Sequence, residues 1–159
     1  MKNNARLNLL GKIMTAAMLL FVTACSSSLV IKKVDFAQPL ESVLTPNSKG
    51  IVQDARIGLK FNVMPLQYAE TKDTTSVTTQ DVRLIRGHAG YYFVTARGFN
   101  DVFVMEPSEG TLKLKKKIHI TDQGLQNPAF NQRTPYVQLL DGSSASYNLT
   151  KDGIKGKEK

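Results

Sequence analysis

Hydrophobic and polar residues alternate along much of this chain with the period of two that marks strands, not the 3.6 that marks helices. The clearest run lies at residues 56–63, where Ile57, Leu59, Phe61 and Val63 interleave with Arg56, Gly58, Lys60 and Asn62. One face of that strand is expected in a core and the other in water. Val82 to Arg86 predicts a second strand, closed by Gly87-His88-Ala89-Gly90. Residues 91–120 predict a three-stranded meander. Tyr91 to Ala96 and Val102 to Met105 are apolar at successive positions, which suits strands covered on both faces. Gly98-Phe99-Asn100-Asp101 provides the first turn, and Pro107-Ser108-Glu109-Gly110 the second, with Pro107 as its preset corner. The third strand carries Leu112, Leu114, Ile118 and Ile120 on one face and Lys113, Lys115, Lys117 and His119 on the other. Lys116 falls on the apolar side, so a bulge or an edge position is expected there.

The remaining segments are less periodic. Leu29 to Phe36 has strand composition, and Pro39, Thr45-Pro46-Asn47 and Gly50 punctuate the next stretch as loop. Residues 69–80, polar and rich in threonine, predict a long loop or the approach to an edge strand. Residues 121–135, with Gly124, Asn127-Pro128 and Pro135, predict a long ordered loop. Tyr136 to Leu140 and Ala145 to Leu149 make a hairpin around Asp141-Gly142, and Lys151 to Lys159 a frayed, charged tail. The expected fold is all-β: an antiparallel β-sandwich of about seven or eight strands with no helix behind the leader, a small barrel being the alternative. No internal repeat is present, which argues against propellers and solenoids.

The first 24 residues follow a different pattern. Lys2, Arg6 and Lys12 give a basic start, Ile13 to Val22 is apolar apart from Thr15, and Thr23 and Ala24 precede Cys25. This apolar run is about half of the ~20 residues that span a bilayer, so a signal peptide fits better than a permanent span. The tetrad Val22-Thr23-Ala24-Cys25 resembles the bacterial lipobox, an aliphatic residue and two small ones before the cysteine. The resemblance covers residues 1–25. It implies that residues 1–24 are a helical signal peptide removed by signal peptidase II. Cys25 would be the acylated N-terminus, residues 25–28 a lipidated tether, residues 29–150 one β domain, and residues 151–159 the tail. Ser26, where an Asp favours inner-membrane retention, resembles the default outer-membrane class and implies a domain facing the periplasm. Two buried acyl chains suffice for stable anchoring.

Composition narrows the chemistry. Cys25 is the only cysteine of 159 residues, so disulfides, a catalytic thiol and cysteine-ligated zinc are all excluded. The formal net charge is +8; three of those charges belong to the leader, which leaves +5 behind it. That modest surplus suits an anionic partner without pointing to nucleic acid. His88 and His119 are the only histidines, one in a turn and one beside lysines, and neither sits in a catalytic or metal-ligand motif. Ser143-Ser144 has turn composition without a nucleophile elbow, and Glu106 and Glu109 only flank a hairpin loop. No cofactor or metal is implied. The binding candidates are the stripe Lys113, Lys115 and Lys117, and Phe130 with Arg133 in the expected loop 121–135. The expectation is a non-catalytic, membrane-anchored envelope lipoprotein that docks a partner protein or an anionic wall polymer. The alternatives are a small envelope hydrolase whose site assembles only in the fold, and a carrier of small ligands.

Overall fold

In the computed structural model, residues 40–109, 111–143 and 145–158 are described. The leader, Cys25, the tether and the expected strand at Leu29–Phe36 lie outside them. The chain forms β1 (Ser42–Leu44), β2 (Ile51–Asp54), β3 (Leu59–Asn62), α1 (Met64–Thr71), β4 (Val82–Arg86) and β5 (Tyr92–Thr95). It continues through β6 (Asp101–Ser108), β7 (Thr111–His119), β8 (Pro128–Arg133), β9 (Tyr136–Asp141), β10 (Ala145–Thr150) and β11 (Gly153–Glu158).

A five-stranded sheet in the order β1-β4-β5-β6-β7 lies at the centre, and a four-stranded sheet in the order β11-β10-β9-β8 packs on one of its faces. All pairings in both sheets are antiparallel. The β2–β3 hairpin and α1 cover the other face of the central sheet. The fold is therefore all-β and sandwich-like, and its sheets do not close into a barrel.

Successive residues of the central strands enter opposite cores. Ile85, Phe93, Val102, Val104 and Ile118 pack against Phe130, Val137, Leu139 and Leu149 of the second sheet. Leu84, Val94 and Phe103 point the other way, onto Val52, Val63 and Leu66. The unbroken apolar runs of β5 and β6 have this cause: each strand feeds two cores.

Five expectations need correction. There are eleven strands among the described residues, more than the seven or eight expected. The run at 56–63 is a strand only from Leu59; Arg56 to Gly58 form the β2–β3 turn, and Ile57 is exposed. Next, Met64–Thr71 is a helix. Pro65 sits in its first turn, where a missing N–H costs nothing, and Lys72 closes it by donating its N–H to the Tyr68 carbonyl at φ 62°. Moreover, residues 121–135 are no long loop, because β8 begins at Pro128 and meets β9 through a tight turn at Thr134-Pro135. Finally, the tail expected to fray pairs with β10 as β11.

Buried polar groups hold the layers in register. The fully buried Gln67 amide of α1 donates to the Ser76 carbonyl at 2.7 Å. Its carbonyl accepts from the Thr78 and Thr79 N–H groups at 2.9 and 3.0 Å. That one side chain orders the threonine-rich stretch. Glu41 joins the two sheets, taking Arg83 at 3.1 Å through Oε2 and the Phe130 N–H at 2.7 Å through Oε1. Gly124 lets the connection between the sheets approach the β5–β6 turn. Its φ is +74°, and a Cβ there would meet the Gly98 carbonyl oxygen at 3.0 Å. Leu125 then exchanges backbone hydrogen bonds with Gly98 and Phe99.

Phe103, fully buried in the second core, should lose about 3–5 kcal/mol on replacement by Ala. Phe61, half-buried on the edge of the same core, should lose only about 1–3 kcal/mol. Urea titrations of the two variants, compared at equal m, test the order.

Candidate functional site

The lysine-bearing strand β7 pairs with β6 along its whole length, but not in one register. Val104 faces Lys116 and Met105 faces Leu114, so Lys115 has no cross-strand partner and forms a bulge. The bulge expected near Lys116 therefore exists, one residue earlier. Its consequence is a change of face. Ile118 lies opposite Val102, towards the second sheet, whereas Leu112 and Leu114 lie opposite Pro107 and Met105, on the side of α1.

The lysines divide in the same way, which corrects the single stripe. Lys113 stands opposite Glu106, and Lys115 reaches the same acid at 3.8 Å with its ammonium 5.2 Å from the centre of the Tyr91 ring. Lys116 donates to the Asp152 carbonyl at 2.6 Å in the β10–β11 turn. Lys117 lies on the other face, 5.8 Å from the centre of the Phe103 ring. Phe130 and Arg133 belong to β8, not to a binding loop. The Phe130 ring is buried in the first core and its N–H is held by Glu41, while Arg133 is exposed at the strand end. His88 is exposed in its turn.

Lys117 and His119 meet a group of acids that sequence reasoning missed. Asp101, buried at the start of β6, binds Lys117 Nζ through Oδ2 and lies 2.9 Å from His119 Nδ1 through Oδ1. Glu70, on the last turn of α1, accepts the Asn100 N–H at 2.8 Å and lies 3.8 Å from Lys117 Nζ. Asp122 lies 3.1 Å from the other His119 nitrogen. Lys117 and His119 remain open to water, with 43% and 58% of their side chains exposed.

The two buried carboxyls are shifted in opposite directions. Burial opposes ionisation of Asp101, yet hydrogen bonds from Lys117, Glu70 and His119 together outweigh it and hold this carboxyl below the usual range. Burial raises Glu70, and the neighbouring Asp101 adds to that against the pull of the Asn100 N–H. Asp101 thus ionises more readily than a free aspartic acid, and Glu70 less readily than a free glutamic acid. The hydrogen bond to Asp101 raises His119 and Lys117 as well. Chemically, the group fastens α1 to the β6–β7 ladder. Among the described residues, no three His, Cys, Asp or Glu side chains are grouped to hold a metal ion.

No known protein family, curated protein or solved structure matches the chain at a significant level.

The linkage predicts opposite pH behaviour for the two acids. Glu70, raised, weakens the fold as pH climbs through the ordinary glutamate value of 4.5 and on through its raised one. Glu70→Gln, which keeps the acceptor for Asn100, should melt at or above the parent at pH 7 and lose that advantage near pH 4. Asp101, lowered, contributes stability above the ordinary aspartate value of 3.8 that disappears as pH falls through its own. Asp101→Asn should cost about 1.5–3 kcal/mol at pH 7 and progressively less in acid. Thermal melts of both variants across pH 3–8 measure the two slopes.

Proposed function

We propose that this chain is a lipoprotein of a bacterial cell envelope, held at a membrane by lipid on Cys25, whose β domain docks a partner. The observation that carries the reading is the tetrad Val22-Thr23-Ala24-Cys25, behind a basic start and a short apolar run, with no second cysteine in the chain. The residue after it, Ser26, favours the outer membrane and a domain in the periplasm. The partner is an envelope protein or an anionic surface or polymer. Neither a cofactor nor nucleic acid enters the proposal.

The use made of the ionisable groups supports a docking domain over a catalytic one. Asp54 takes Ser42 and Arg56, Glu41 joins the two sheets, and Asp101 with Glu70 fastens a helix to a ladder. Each links elements of the fold. A triad-type hydrolase built on His119 would need a ring nitrogen free to take a proton from a nucleophile, and carboxylates engage both. A small-ligand carrier would need a closed barrel around an apolar cavity, and the sheets are open.

The mass of the N-terminal peptide from membrane-purified protein tests the anchor. A diacylglyceryl-modified Cys25, acylated on its amine, is the expected species. Cys25→Ser should leave the precursor uncut or shift the protein from the detergent phase to the aqueous one. An unmodified N-terminus downstream of Cys25 would overturn the reading.

A further inference from the structure

The charge of the described domain is separated across it. β7, the β10–β11 turn and β11 carry seven lysines against two acids, Asp152 and Glu158; the rest of residues 40–158 carries eight basic and ten acidic residues. The whole positive surplus therefore sits on these elements, and the remainder is net acidic. Topology brings them to one flank. β7 is an edge of the central sheet and β11 an edge of the second, and the Lys116 ammonium spans from one to the other at the Asp152 carbonyl. Lys115 and Lys117 are matched by Glu106 and Asp101, and Lys151 by Asp152. Among the described residues, Lys113, Lys116 and Lys155 form no salt bridge, although Glu106 stands opposite Lys113 and Asp152 acts on the other two at longer range, and all three are exposed.

Like charges this close repel, so the arrangement costs stability until an anion approaches. Two apolar side chains are exposed at this edge: Ile154 on β11, 42% accessible, and Leu114 on β7, 55% accessible, which lies on the α1 side of the central sheet, opposite to Lys113 and Lys116. Apolar side chains at a lysine-bearing edge suit the boundary between headgroups and acyl chains, where lysine stems extend to the phosphates. A hydrated polymer offers Leu114 and Ile154 nothing. Distance agrees. The fourteen residues from Ser26 to Pro39 hold Leu40 within at most about 50 Å of Cys25.

We propose that the β7–β11 flank is a membrane-docking surface that binds the headgroups of acidic phospholipids and lays the domain against the bilayer that anchors it. The proposal rests on the lipoprotein reading and names the partner of that domain. Surface lysines near an acidic bilayer each strengthen association by about fivefold.

Lysine footprinting tests it. The full chain, purified from membranes, is reconstituted into liposomes of phosphatidylcholine alone or with phosphatidylglycerol, floated, and labelled with a water-soluble amine reagent. Lys113, Lys116 and Lys155 should label at least about fivefold more slowly in the acidic liposomes, with the difference lost at high salt. Lys49, Lys60 and Lys72 should label alike in both. The variant with Lys113, Lys116, Lys151 and Lys155 changed to Gln should float equally well yet lose the protection of Lys115. Equal labelling of the two lysine sets in a chain that floats overturns the docking surface and leaves the lipoprotein reading intact. A chain that does not float overturns both. Protection that arises only when a soluble wall polyanion is added, and not with phosphatidylglycerol, rejects the membrane in favour of the polymer.

Discussion

A sheet that is apolar on both faces must be covered twice, and most of this architecture answers that requirement. Phe93 and Val94, then Val102, Phe103 and Val104, point alternately into two cores. Burying only one face would leave half of these side chains in water, at a cost of about 1.5–3 kcal/mol for each. The second sheet covers one side. The β2–β3 hairpin and α1 cover the other, inserted in the chain between the edge strand β1 and its neighbour β4. The polar contacts are subordinate to this layering. Gln67 and Glu41 fix where the covering layers sit, but the apolar central strands are why covering layers exist.

The bulge at Lys115 has the widest influence of any single backbone feature. Without it, strict alternation would run Lys113, Lys115 and Lys117 along one face. With it, the N-terminal half of β7 changes face relative to the C-terminal half. Lys117 and His119 reach Asp101 and Glu70, while Lys113, Lys115 and Lys116 remain on the side of the second sheet. The bulge thus separates a lysine spent on internal fastening from lysines left at the surface.

Local periodicity carried much of the fold to the reader of the chain. Val82–Arg86 was legible as a strand to the residue, and the doubly apolar runs of β5 and β6 announced a sheet covered twice. The slip at Lys116 announced a bulge, though not that the faces would exchange across it. What was missed has physical reasons. Pro65 and Thr71 disguised a two-turn helix whose stability comes from packing Leu66 and Gln67 inward. Pro128 and Pro135 read as loop because proline interrupts ladders, yet Pro128 opens an edge strand, where its absent N–H is tolerated. β11 is an edge strand of glycine, lysine, glutamate and one exposed isoleucine, and so shows no apolar alternation in the sequence. The acid group was illegible because Glu70 and Asp101 meet only when α1 packs on the β6–β7 ladder, and each sits in a polar stretch that resembles a turn.

Glu41 has a mechanical consequence. It immediately precedes the three-residue edge strand β1, at the place where the chain enters the described fold. A pull transmitted from the N-terminal side reaches Glu41 before it reaches the first backbone hydrogen bond of β1. There the load divides between Arg83 of the central sheet and the Phe130 amide of the second. Peeling β1 from its N-terminal end therefore means breaking these two contacts as well as its ladder to β4. Against any load applied at that end, one carboxylate serves as a strain relief.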